Sequence, residues 1–174
     1  MKRIFISYAT EDYDVALRIY NDLRREGTEP WLDRKDLLPG QKWKKVIKQV
    51  IKGSDYFLTL LSSHSVSKTG FVQEEQQAAF EEARKCPPDK VFIIPARLDD
   101  CQPPYEELQD IHRVDIFDSY EDAVSNILRT MKISHKEPVT SYPPETYEFQ
   151  ETVSELEKWK RVHHDAQDLF NHPF

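Results

Sequence analysis

Trp31-Leu32-Asp33-Arg34-Lys35-Asp36-Leu37-Leu38-Pro39-Gly40-Gln41-Lys42-Trp43 is the stretch on which the fold of this chain turns. Its first residues close a short β-prone segment, Pro30–Leu32, and its Pro39-Gly40 pair is a strong turn signal. Its last residue opens a helix: Trp43, Val46, Ile47, Val50 and Ile51 recur at helical spacing until Gly53. A strand therefore hands over to a helix through a polar loop, Asp33–Gln41, and the same alternation runs outward in both directions.

Upstream, Ile4–Ser7 reads as a buried first strand. Thr10, followed by Glu11 and Asp12, is an N-cap signal for a helix carrying Val15, Leu17, Ile19, Tyr20 and Leu23 and stopped by Gly27. Downstream, the apolar run Tyr56–Leu61 reads as a third strand, and a helix is expected from about Phe71 to Lys85, closed by Pro87-Pro88. Val91–Pro95 is the fourth strand candidate, Asp99–Glu107 a polar connection, Arg113–Phe117 a short fifth strand and Tyr120–Met131 a last amphipathic helix. Regular alternation of strand and helix predicts an α/β fold, a flavodoxin-like five-stranded parallel sheet with helices on both faces.

From Ser134 the composition changes. Residues 134–146 hold Pro138, Pro143 and Pro144 and read as a linker. In the tail, 147–174, the residues Phe149, Val153, Leu156, Trp159, Val162, Ala166 and Leu169 recur every three or four positions. They predict a C-terminal amphipathic helix over about 147–170, whose apolar stripe needs cover from the domain, a second copy or a missing sensor domain.

The 174 residues suit one domain with an appendage. Lysine and arginine number 24 against 31 aspartates and glutamates, a net charge of −7, which argues against nucleic acid as a partner. Lys42, Lys44, Lys45, Lys48 and Lys52 cluster in one segment and read as a solvated helix face. The two cysteines, Cys86 and Cys101, form neither a disulfide framework nor a zinc spacing, and the adjacent His163 and His164 cannot share a metal from one helix face, so no metal site is expected. The basic start Met1-Lys2-Arg3 precedes a three-residue apolar run, against about 7–15 residues for a signal peptide and about 20 for a membrane span. A cytoplasmic protein with no membrane partner is expected.

Several α/β chemistries fail at the residues. A dinucleotide-binding Rossmann fold or a P-loop needs glycines after the first strand, where this chain has Ser7-Tyr8-Ala9-Thr10-Glu11. A receiver domain would end its third strand in aspartate, where Leu61-Ser62-Ser63 stands, and no G-x-S-x-G elbow marks a Ser-His-Asp hydrolase.

Five segments occur in order: Phe5-Ile6-Ser7-Tyr8, Trp31–Asp33 with Pro39-Gly40, Leu61-Ser62-Ser63-His64-Ser65-Val66-Ser67, Phe71 with Glu75, and Ile94-Pro95-Ala96-Arg97-Leu98-Asp99. In this order and spacing they resemble the Toll/interleukin-1 receptor (TIR) domain in its bacterial form, over roughly residues 1–133. The resemblance implies NAD+ as a substrate, with no cofactor, and Glu75 as the catalytic residue, four residues after the helix-opening aromatic. The neighbouring Glu74 points about 100° away on a helix, so only one of the two faces a cleft. The implied substrate-binding residues are Ser7, Tyr8, Asp33, Leu37, Trp43 and Phe71, the last standing where the family usually has tryptophan. Family members often carry arginine soon after the strand-end serine to meet the phosphates; here Ala9-Thr10 follow, leaving Lys35, Lys42 and Lys68 as candidates. Self-association with other TIR domains is implied through the Asp33–Gln41 loop, with Leu37-Leu38 expected to be exposed. Three functions stand open: an NAD+ glycohydrolase producing ADP-ribose or a cyclic form in bacterial defence or signalling, a non-catalytic TIR adaptor, and a sensor that holds a NAD-derived ligand without cleaving it.

Overall fold

Every strand of the sheet runs parallel to its neighbours, in the order β2-β1-β3-β4-β5. The strands are β1 (Arg3–Ser7), β2 (Glu29–Trp31), β3 (Tyr56–Leu61), β4 (Ile93–Arg97) and β5 (Val114–Asp115). The helices are α1 (Tyr13–Arg25), α2 (Asp33–Asp36), α3 (Trp43–Gly53), α4 (Ser63–Ser67), α5 (Phe71–Ala83), α6 (Glu106–Gln109) and α7 (Tyr120–Thr130). The computed structural model describes residues 1–67 and 71–131, with the Ser67 and Phe71 side chains excepted; the expected linker and C-terminal helix lie outside the described residues.

Period-two alternation along each strand divides the core in two. Ile4, Ile6, Leu58, Leu60, Ile94 and Ala96 pack under Ala16, Ile19 and Leu23 of α1 and Ala123, Ile127 and Leu128 of α7. Phe5, Phe57, Leu61 and Ile93 face the other way, under Ile47 and Ile51 of α3 and Ala79 and Phe80 of α5. All six residues of β3 are buried, as a central parallel strand covered on both faces requires. Phe5 stacks on Phe57 at 5.3 Å and on Trp31 at 5.0 Å between ring centroids, which fastens the edge strand β2 to the centre. Pro30 sits mid-way along β2, a residue tolerated there because an edge strand needs no ladder donor on its outer side.

Local departures from the sequence reading have physical causes. Thr10 does not cap a helix: it begins a 3-10 turn, Thr10–Asp12, before α1. Asp12 has no capping bond and instead accepts a hydrogen bond from Ser62 Oγ at 2.5 Å. The strand expected at Val91–Pro95 begins two residues later, because Lys90 N–H bonds the Pro87 carbonyl in a turn that leaves Val91 48% exposed. The Asp33–Gln41 loop contains one helical turn, α2, closed by the Asp36 carboxylate accepting from Leu32 N–H at 2.7 Å. Gly40, with φ of 84°, supplies the left-handed residue that reverses the chain before α3, and Gly27, with φ of 77°, does so after α1.

Candidate active site

In a 2-1-3-4-5 sheet the strand order reverses between β1 and β3, and the carboxyl ends of those strands form the crevice in which open α/β sheets take ligands. Ser7 ends β1 and lies in register with Thr59 of β3, so both side chains face α5. Two consecutive α5 residues meet them. Ser7 Oγ donates to Glu75 Oε2 at 2.5 Å, and Gln76 Nε2 donates to Thr59 Oγ1 at 3.0 Å. Among the described residues the Gln76 side-chain oxygen, Oε1, has no hydrogen-bond partner. Thr59 and Gln76 escaped the sequence reading because nothing in a run such as Phe57-Leu58-Thr59-Leu60 marks which side chain lies beneath a helix.

The two glutamates part as helical geometry demands. Glu75 is 4% exposed, whereas the Glu74 side chain is 53% exposed and forms an ion pair with Lys44 at 3.3 Å. Beside Ser7, Tyr8 donates its hydroxyl to Asp33 Oδ1 at 2.7 Å, which ties the start of α2 to the end of β1. Arg34 covers the Tyr13 ring at 4.1 Å and Lys35 the Tyr20 ring at 5.3 Å. Ser7, Tyr8, Asp33 and Glu75 are thus brought together. Trp43 opens α3 and is 39% exposed, so it is not the core residue its apolar stripe would make it. Leu37 and Leu38 differ: Leu38 is 64% exposed, but Leu37 packs partly buried against the Phe5–Phe57 cluster, correcting the expectation that both face water. The side chain of Phe71 and all of Lys68 lie outside the described residues.

Burial pushes the Glu75 carboxyl well above its ordinary value of 4.5; the Asp33 charge adds to this, the Ser7 hydrogen bond opposes it and Glu74 adds further. The opening that reaches Glu75 between α3 and α5 has a volume of about 10 Å³ and is lined by Lys44, Ile47, Lys48, Ile51, Glu74 and Ala78. That is room for about one water molecule, so the carboxylate is sealed in this conformation. A carboxyl whose pKa is raised by folding binds its proton more tightly in the folded chain. Stability therefore falls as pH rises from the ordinary carboxylate range towards the folded value. Glu75→Gln keeps an acceptor for Ser7 and cannot ionise. We expect it to stabilise the fold by about 0.5–2 kcal/mol at neutral pH, and by less near pH ~4. Urea midpoints at the two pH values measure this, and an equal gain at both contradicts the assignment.

A second polar cluster lies at the end of β3. Ser62 donates to Asp12, and His64 Nδ1 lies 3.7 Å from the other Asp12 oxygen. Serine, histidine and aspartate are all present, but the aspartate stands in the middle, whereas a nucleophilic relay needs the histidine there. Burial raises the Asp12 carboxyl above its ordinary value, against the Ser62 hydrogen bond and the His64 charge. Among the described residues no group of three or more histidines, cysteines, aspartates or glutamates is placed to hold a metal.

Residues 4–128 match the TIR domain family. The TIR domain of the Toll-related receptor TRR-2 from Hydra magnipapillata is similar over 74% of this chain and 97% of its own, at 22% identity and a TM-score of 0.62. The TIR domains of the activated Roq1 resistosome, which directly recognises the pathogen effector XopQ, are similar over 75% and 99%, at 16% identity and a TM-score of 0.63. A prokaryotic SEFIR domain is similar over 78% and 100%, at 18% identity and a TM-score of 0.57. At these identities the solved structures speak for the fold alone. No curated protein sequence matches the chain. The family match spans most of a chain whose all-parallel sheet has the same architecture as those TIR structures, and this chain belongs to the TIR domain family.

Proposed function

We propose that this domain cleaves NAD+ between nicotinamide and ribose, with Glu75 as the catalytic carboxylate. One observation carries the reading: a buried glutamate at the β1/β3 crevice, hydrogen-bonded to the serine that ends β1. In the reaction the ribose C1′–N bond breaks and its electron pair stays with nicotinamide, which departs neutral and needs no general acid. The ribosyl centre left behind is oxocarbenium-like, as in glycoside cleavage. The ionised Glu75 carboxylate offsets that charge. Water then adds at C1′ and gives up a proton to solvent, producing ADP-ribose; attack by an adenine nitrogen of the same molecule gives a cyclic product instead. Ser7, Tyr8, Asp33 and Trp43 form the substrate wall in this reading, and Leu37 anchors the loop that borders it. The test is nicotinamide release by the purified, concentrated full chain.

Because Glu75 is sealed, turnover requires α3, α5 or the loop between α2 and α3 to move. Self-association supplies the energy for that in this proposal, through the loop that presents Leu38. We expect activity per molecule to rise with protein concentration. Burying one leucine contributes about 1.5–3 kcal/mol, so Leu38→Asp should raise the half-maximal concentration by about 10–100-fold while leaving the fold intact. Light scattering alongside nicotinamide release measures this; activity proportional to protein down to dilute monomer contradicts it. Leu37→Asp is no substitute, since Leu37 packs on the core.

The sealed carboxylate equally favours a second reading, a non-catalytic adaptor that binds other TIR domains, which would release no nicotinamide at any concentration. In either case we place the protein in the cytoplasm, in bacterial defence or signalling, with the tail either reaching a sensor or pairing protomers. Cys86 and Cys101 are free thiols, and among the described residues no helix is long and apolar enough to cross a membrane.

A further inference from the structure

We propose that Lys44 and Lys48 of α3 bind the diphosphate of the dinucleotide, a site that rests on the NAD+-cleavage reading above. A dinucleotide brings two negative charges to a chain of net charge −7, so its phosphates need a local cationic surface. The turn after β1 offers none: Ala9, Thr10, Glu11 and Asp12 follow Tyr8. Lys35 and Arg34 lie against Tyr20 and Tyr13, on the α1 side of the loop. The opening that leads to Glu75 is different. Its α3 wall is Lys44, Ile47, Lys48 and Ile51, two exposed lysines beside two buried isoleucines.

The spacing suits the ligand. Lys44 and Lys48 are four residues apart on one helix face, with Cβ atoms about 6 Å from each other, so their flexible stems can converge on adjacent phosphates. Helix α3 contains no aspartate or glutamate, and Lys44 lies in its first turn, where the helix dipole also favours an anion. Glu74 lines the same opening and would repel phosphate, but Lys44 pairs with it at 3.3 Å across exposed side chains, an exchangeable contact. A dinucleotide held there has its diphosphate on the rim of α3 and its nicotinamide ribose directed inward to Glu75.

The experiment compares NAD+ with nicotinamide riboside, which carries the same scissile bond and no diphosphate. In the full chain, Lys48→Glu and Lys44→Gln should each raise KM for NAD+ by about tenfold, the loss of one charge-assisted contact, and leave kcat within about twofold. Cleavage of the riboside should not change. Lys52→Glu, one turn further along α3 and outside the opening, is the control and should leave KM for NAD+ unchanged. An unaltered KM in the Lys44 and Lys48 variants overturns the proposal, as does an equal loss on both substrates or an equal effect of Lys52→Glu. If the wild-type chain cleaves neither substrate, the catalytic reading fails; calorimetry with ADP-ribose then decides the site, which stands if Lys48→Glu weakens binding about tenfold and falls if affinity is unchanged.

Discussion

Glu75→Ala should reduce nicotinamide release from NAD+ by about 10²–10³-fold or more, the scale of removing a group aimed at transition-state charge. Glu74→Ala, one residue away, should leave the rate within about twofold of wild type. The contrast follows from position. Glu75 is buried against Ser7 at the crevice, while Glu74 stands in water paired with Lys44. The other carboxylate beside Glu75, Asp33, is already engaged: its Oδ1 accepts from the Tyr8 hydroxyl and from Arg34 N–H. The pH dependence provides a check that does not rely on mutation. Burial raises the Glu75 carboxyl, so the acid limb of kcat/KM should fall above the ordinary carboxylate range rather than near 4.5. Ser7 lowers that value by donating to the carboxylate, and Ser7→Ala should move the limb to still higher pH. Activity that survives Glu75→Ala but is lost with Glu74→Ala would reverse the assignment, and an unshifted limb would remove Glu75 from the rate-limiting ionisation.

The elements that position this site were legible because each left a one-dimensional mark. A largely apolar run became β3, Gly27 became a left-handed helix end, and the Trp43–Ile51 stripe became α3 with Ile47 and Ile51 at its buried face. The family resemblance then put Ser7 and Glu75, 68 residues apart in sequence, in one place, and the structure has them in hydrogen-bond contact. What periodicity cannot give is the choice between alternative partners for one side chain. Asp12 looked like part of a helix start and bonds Ser62, fifty residues on. Leu37 and Leu38 are identical in sequence terms, yet backbone direction after α2 turns one to the core and the other to water. The lysines of α3 read as a solvated stripe, and so they are on most of the helix. Only the packing of α3 against α5 gives Lys44 and Lys48 a cavity to line.

Arg97 is where the largest loss of stability is expected. It ends β4, its side chain is 7% exposed, and it grips Asp115 of β5 through two parallel bonds, Nε to Oδ1 at 2.6 Å and Nη2 to Oδ2 at 2.8 Å. Its remaining nitrogen, Nη1, donates to Asp100 at 2.8 Å and to the Cys101 carbonyl at 3.0 Å. Strand β5 is two residues long, too short to be held by its ladder alone, so this side chain pins the edge of the sheet. Truncation leaves a buried carbonyl without its donor and a largely covered carboxylate without its cation. Arg97→Ala should therefore cost about 2–4 kcal/mol, at the lower end for a broken buried pair because Asp100 is exposed and Asp115 partly so. Arg97→Lys should recover little, since an ammonium cannot make two parallel bonds. The pH dependence fixes the cause. The Arg97 hydrogen bond holds the Asp115 carboxyl below its ordinary value, against the opposing effect of burial. A carboxylate depressed by folding contributes stability above its unfolded pKa and loses it as pH falls through the folded value. The gap between wild type and Arg97→Ala in urea unfolding should accordingly be full at neutral pH and narrow on acidification below the ordinary carboxylate range. A gap that stays unchanged on acidification below that range would assign the loss to packing against Phe117, over whose ring the guanidinium lies at 5.3 Å, and not to the ion pair.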